Sequence, residues 1–154
     1  MSARSDLSAQ SDLTLDIPSD VQAIERAVEY VLARCESCIE DDHKLHFHFR
    51  VGLTEALSNA MLYGNREDPD KRVRVEVCVE ESAVRVRVTD EGNGFDPGTV
   101  PDPTAPRNLE KPCGRGIFLM RQLLDDVRFN EEGNCVTLVL RRGRHRESGG
   151  GARA

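Results

Sequence analysis

The chain has 154 residues, 38% of them hydrophobic and 31% charged, with a formal net charge of −6. That length predicts one domain with a sizeable core, and no apolar run approaches the roughly 20 residues of a membrane span. The N-terminus lacks the charged-then-apolar pattern of a secretory leader, so a cytoplasmic protein is expected, and the acidic balance argues against nucleic acid as the main partner.

Residues 1–12 are polar and serine-rich and are expected to be disordered. Leu13, Leu15 and Ile17 alternate with polar residues, which predicts a half-buried strand ending at Pro18. Ser19-x-x-Gln22 has the form of a capping box. The helix behind it presents Ile24, Ala27, Val28, Val31, Leu32 and Cys35 on one face. A polar break at 40–42 leads to a second helix over about 43–63, with Leu45, Phe49, Leu53, Ala56, Leu57 and Ala60 as its apolar stripe. Gly64–Asn65 reads as its stop. His43, His46 and His48 at its start read as surface or packing histidines. Val73 to Val79 and Val84 to Val88 alternate with polar residues, which predicts two strands joined by a tight turn near 80–82. One-sided strands of this kind predict an antiparallel sheet covered by helices on a single face.

Residues 96–113 hold five of the seven prolines and show no periodicity, as in a functional lid or a disordered loop. Ile117, Met120, Leu123 and Leu124 mark a short helix. Val127–Phe129 and Val136 to Leu140 predict a closing hairpin around Gly133–Asn134. Arg141–Arg146 and the glycine-rich end read as a solvated tail, with 143–154 flexible. The five cysteines are odd in number and scattered, so reduced thiols are expected, Cys35-x-x-Cys38 included.

Three short motifs carry chemistry. Glu55 and Asn59 lie four residues apart, stacked on one helix face beside the apolar stripe. They can supply oxygens to Mg²⁺, which keeps phosphates and waters as its other ligands, or they are ordinary polar residues of an exposed face. Asp90 ends a strand and is followed by Gly92 and Gly94. It can accept a hydrogen bond from a purine amino group, with glycines letting the backbone approach the base, or it belongs to a plain turn. Gly114 and Gly116 precede a helical segment, where free N–H groups suit phosphates, or they form a hinge. Arg115 adds a cation between them. The Walker pattern Gly-x4-Gly-Lys-Ser/Thr is absent.

In this order, the three segments resemble the N, G1 and G2 boxes of the gyrase–Hsp90–histidine kinase–MutL ATPases. Within them the chain is most similar to the small anti-sigma factors with serine protein kinase activity. The motifs that carry the likeness are Thr54–Glu55–Ala56 with Ser58–Asn59–Ala60, Asp90 to Pro97, and Gly114–Arg115–Gly116–Ile117 with Asp125 after them. The resemblance implies a Bergerat-type α/β fold (an α+β two-layer sandwich), with a mixed, mostly antiparallel sheet and helices on one face. It implies an ATPase domain over 13–142 with an ATP lid at about 96–113. It implies ATP and Mg²⁺ as cofactors, Glu55 as catalytic base and Asn59 as the Mg²⁺ ligand. Asp90 reads adenine, Gly92 and Gly94 shape the base pocket, and Gly114, Arg115 and Gly116 meet the phosphates. Its partners are a sigma factor and an anti-anti-sigma antagonist that it phosphorylates, and members are commonly homodimers. The alternative is a nucleotide-dependent binding module that switches partners without phosphoryl transfer. Two positions depart from the family pattern: Tyr63 stands where many relatives carry histidine, and a late threonine aligns with either Cys135 or Thr137.

Overall fold

The computed structural model describes residues 12–92 and 112–143, with the backbone alone at 112–115. Its sheet has five strands: β1 (Leu13–Pro18), β2 (Arg72–Val79), β3 (Ala83–Thr89), β4 (Asp126–Phe129) and β5 (Cys135–Arg141). The spatial order is β1-β2-β3-β5-β4, and every described pairing is antiparallel. The register sets apolar residue against apolar residue: Leu15 opposite Val75, Val75 opposite Val88, and Val88 opposite Val136. With a side-chain period of two, that puts these residues on one face. Arg74, Glu76, Arg87 and Thr137 therefore take the other face.

The helices cover the valine face. Helix α1 (Ile24–Cys35) buries Ile24, Ala27, Val28, Val31, Leu32 and Cys35, the face its periodicity predicts. Helix α2 (Arg50–Asn59) continues at both ends into π-helical turns, Lys44–Phe49 before it and Ala60–Gly64 after it. The predicted stripe is buried along all three segments, from Leu45 and Phe49 to Leu57 and Ala60. Helix α3 spans Pro112–Leu123. Burying one leucine- or phenylalanine-sized side chain contributes about 1.5–3 kcal/mol, so this two-layer core is the main source of stability.

Three expectations are corrected. The helix cap is Asp20, whose Oδ1 accepts from the Gln22 N–H at 3.0 Å, and it opens a 3₁₀ turn, Val21–Ala23. Ser19 does not cap: it still lies in the β1–β2 ladder, where its N–H, which a capping box would use, donates to the Lys71 carbonyl at 3.2 Å. Its hydroxyl is buried without a partner among the described residues. The third helix begins at Pro112, so Gly114 and Gly116 lie inside its first turns rather than ahead of it. Proline suits a first helical position, where an N–H has no partner in any case. The expected lid over 96–113 falls outside the described residues except for Pro112 and Cys113, which are helical. Nor does Arg142 belong to a solvated tail. Its Nε donates to the Cys38 carbonyl at 3.0 Å and its guanidinium to the Glu80 carbonyl at 2.8 Å. Its own N–H reaches Ser82, and its carbonyl accepts from Glu40. One residue thus ties the end of β5 to the α1–α2 connection and the β2–β3 turn.

The histidines behave as packing groups. The His43 ring lies 4.6 Å from Phe47 and 5.2 Å from His48, centroid to centroid, and His46 faces Glu36 at 3.4 Å. No helix among the described residues is long and apolar enough to cross a membrane.

Candidate functional site

The second half of α2, the end of β3, the β4–β5 hairpin and α3 meet around one cleft. Its free space is about 400 Å³, open mouth included. Asn59, Gly64, Asp90, Met120, Asn134 and Val136 are among its walls.

Glu55 and Asn59 sit one turn apart on α2, and α3 crosses directly over them. A Cβ at Gly116 would stand 2.7 Å from Glu55 Oε1 and 3.2 Å from Asn59 Nδ2. A side chain at Gly116 would push the Glu55 carboxylate from its place. Gly52 plays the same part lower on α2, where a Cβ would meet Leu124 Cδ1 at 2.7 Å. Glycine on both helices thus sets how closely they approach. Among the described residues no group donates to the Glu55 carboxylate, and partial burial raises its pKa above the ordinary carboxylate value.

Asp90 lies at the cleft floor and is only 9% exposed. Its N–H donates to the Asn134 carbonyl at 2.9 Å, and its Oδ1 accepts from the Gly92 N–H at 2.8 Å. Among the described residues no group donates to Oδ2. Burial raises its pKa, against the lowering pull of the Gly92 N–H and of Lys71. A buried carboxylate in a cleft wall, with one oxygen lacking a donor among the described residues, can accept a further hydrogen bond.

Several positioning residues carried no sequence signal as site residues. Gly64 read as a helix stop, yet a Cβ there would lie 2.3 Å from Asp90 Oδ2. Gly92, expected from the sequence to shape the base pocket, is more constrained still: its Cβ would fall 1.7 Å from the Gly64 carbonyl oxygen. Gly133–Asn134 read as a simple turn, yet both residues line the cleft. That turn is shaped by Asn130, whose Oδ1 accepts from the N–H groups of Gly133, Asn134 and Cys135 at 2.8, 3.1 and 3.2 Å. A side-chain amide bonding its own loop backbone is an ordinary turn device, so its service to the cleft depends on the fold. Of the two positions open to the late threonine, Cys135 lines the cleft, with its Sγ accepting from the Thr89 hydroxyl at 3.3 Å. Thr137 lies farther along the sheet, beside Arg87 and Arg128. Tyr63 is half-exposed at the cleft wall.

Asp125, which comes after the third motif, is structural. Burial alone would raise its pKa, but the Arg141 N–H and the Lys44 ammonium outweigh that and hold it below the ordinary value. The two partners reach its Oδ2 at 2.6 and 2.7 Å. Gly94 lies outside the described residues, and so does the side chain of Arg115.

The profile of the histidine kinase-like ATPase domain matches residues 17–140. The chain belongs to this family. The fold agrees, with an antiparallel sheet under helices on one face, Asn59 and Asp90 in the cleft wall, and Gly116 packed against Asn59. This ATPase domain is similar to the serine-protein kinase RsbW of Listeria monocytogenes, at 28% identity over 97 residues, covering 58% of this chain and 62% of the relative. It is similar to the protein of the same name from Oceanobacillus iheyensis, at 26% over 96 residues, covering 58% and 61%. It is also similar to the anti-sigma F factor of Geobacillus thermodenitrificans, at 33% over 90 residues, covering 56% and 61%. The matched segment thus spans about six tenths of the length of these curated relatives. Membership of an ATPase family implies use of ATP.

Proposed function

We propose that this ATPase domain is a serine/threonine protein kinase that acts as an anti-sigma factor, phosphorylating a small anti-anti-sigma antagonist and sequestering a sigma factor in a partner switch. The observation that carries the reading is the packing of the Gly116 backbone against Glu55 and Asn59. It brings a carboxylate with no donor, an amide and the start of a helix to one point, as phosphoryl transfer requires. The names of the relatives, serine-protein kinase and anti-sigma F factor, support the choice of substrate and partner.

The roles divide along the cleft. Asp90 Oδ2 accepts the adenine amino group, with Gly92 and Gly94 shaping the base pocket. Gly114 and Arg115 meet the phosphates in the first turn of α3, where backbone N–H groups and the helix dipole favour anions, and Gly116 lets that turn pack against Glu55 and Asn59. Asn59 offers its amide oxygen to Mg²⁺. One amide beside one carboxylate fits a cation that takes most of its ligands from phosphate and water. Bound there, the ion would neutralise charge on the phosphates. Glu55 takes the proton of the attacking serine hydroxyl, and its raised pKa moves it toward the working range of a base. Phosphorylation adds about −1.5 to −2 charges to the antagonist. Against a protein of net charge −6, that weakens the grip on the product and frees the sigma-binding surface.

Calorimetry with Mg-ATP tests the pocket: saturable binding to wild type, lost or sharply weakened in Asp90→Asn and Asn59→Ala. Transfer of labelled phosphate to antagonist proteins of the same genome then tests the activity. Glu55→Gln is expected to bind ATP normally and to lose about 10²–10⁴ in transfer rate. Wild-type binding without transfer to any antagonist would leave a nucleotide-dependent partner switch in place of a kinase.

A further inference from the structure

Asn65 is fully buried at the point where the helical layer ends. Its Nδ2 donates to the Arg72 carbonyl at the start of β2, at 3.0 Å. Its Oδ1 accepts from the Glu91 N–H at 2.8 Å. One partner can only accept and the other can only donate, so the orientation of the amide is fixed. The Asn65 N–H bonds back to the Ala60 carbonyl at 2.7 Å, and its carbonyl accepts from Asp68 at 3.0 Å. Backbone and side chain of this residue are thereby both engaged.

The surrounding backbone is arranged to keep Asn65 there. The bond to Ala60 spans five residues and closes the π turn Ala60–Gly64. A π turn carries one residue more than an α turn needs, and such turns recur at functional sites. Beyond Asn65, Arg66 and Glu67 both take left-handed backbone conformations, with φ of 54° and 59°. Two successive non-glycine residues in that region persist only where the surroundings over-determine them. Immediately before Asn65, Gly64 lies against the Asp90 carboxyl, and its carbonyl lies against Gly92.

We infer that Asn65 is a positioning residue for base recognition: by holding the Glu91 N–H, it fixes the peptide after Asp90 and so aims the free Oδ2 at the base. This rests on Asp90 as the reader of the adenine amino group. Glu91 and Gly92 are the two residues whose N–H groups anchor the turn, one on Asn65 and one on Asp90 itself. Without Asn65, the self-bond between Asp90 and Gly92 persists, but the turn loses its hydrogen bond to the helix end.

The test compares binding of Mg-ATP with that of Mg-purine riboside triphosphate, which lacks the amino group. Wild type is expected to favour ATP by about tenfold, the worth of one charge-assisted hydrogen bond. In Asn65→Ala that preference should fall toward unity while affinity for the analogue stays nearly constant. A residue that merely supported the fold would lower both affinities together. Full preference in Asn65→Ala, or an equal loss of both affinities, overturns the proposal. Absence of preference in wild type instead overturns the Asp90 reading, and this proposal with it. Should Asn65→Ala fail to fold, amide exchange in the wild-type protein decides. Glu91 N–H protected as strongly as Asn65 N–H supports the tether, and exchange at an open-loop rate overturns it.

Discussion

Asp90, proposed to read adenine, shows at the scale of one residue how a buried carboxylate costs stability. Its carboxyl is buried, and its pKa lies above its ordinary value of 3.8, raised by desolvation and only partly offset by the Gly92 N–H and Lys71. The folded state therefore holds the proton to higher pH than the unfolded chain does. The burial penalty is absent below the unfolded value, grows as pH rises toward the folded value, and is complete above it. Asp90→Asn keeps an oxygen for the Gly92 N–H and removes the charge. The nucleotide-free variant is expected to be about 1 kcal/mol more stable than wild type at neutral pH, with the difference vanishing in acid. Thermal melts across pH measure this, and a variant melting below wild type at pH 7 would sink it. Asp125 runs the other way, with its folded pKa below the ordinary value. Its contribution is present above the unfolded pKa and lost as pH falls through the folded one. Asp125→Asn leaves the Arg141 N–H an acceptor and removes the ion pair to Lys44, a loss of about 1 kcal/mol at neutral pH.

At the scale of elements, glycine sets the geometry where α2, α3 and the β3 end converge, and the consequence of a side chain differs with what each glycine faces. A Cβ at Gly116 meets the tip of the flexible Glu55 side chain, whereas one at Gly92 meets backbone oxygen. Gly116→Ala should therefore fold as well as wild type, helped by the preference of helices for alanine of about 1 kcal/mol, while displacing Glu55 and slowing phosphoryl transfer. Gly92→Ala has no such escape and should lose ATP binding through distortion of the turn itself. Melting temperature and turnover measured on both variants separate the cases; intact turnover in Gly116→Ala would mean that Glu55 does not act from where it stands. Glycines of this kind also mark the boundary of what a sequence discloses. Buried faces were legible because periodicity is local: the face of α1 and the valines of β2 and β3 lie where 3.6- and 2-residue spacing puts them. The spacing of their motifs singled out Glu55, Asn59 and Asp90 as candidates. Asp20 stands as the cap where Ser19 was expected, because Ser19 still lies in the ladder to the β2 side and the helical turn starts one residue later. Asn65, Asn130 and Arg142 each act through backbone groups distant in sequence or through a local turn whose purpose is distant. No window of neighbouring residues contains that information. The π turns, too, leave the apolar stripe of α2 unchanged while shifting the residues beyond it.

For the whole molecule, ligand binding and folding are one equilibrium. The cleft is built from α2, the β3 end, the β4–β5 hairpin and α3, and these same elements close the single core. Unfolding any of them disperses the donors and acceptors that a nucleotide needs, so Mg-ATP is expected to bind only the folded state. At a concentration of one hundred times Kd it should stabilise the protein by about 2.7 kcal/mol, a rise in Tm of roughly 5–10 °C for a chain of this size. Asp90→Asn should reverse the order of the two proteins: higher-melting than wild type without nucleotide, and lower-melting with saturating Mg-ATP. That crossing is a stronger test than either shift alone, because a substitution that simply stiffened or loosened the fold would move both melting temperatures in the same direction. Parallel curves would separate Asp90 from nucleotide binding and leave its burial without a functional reason.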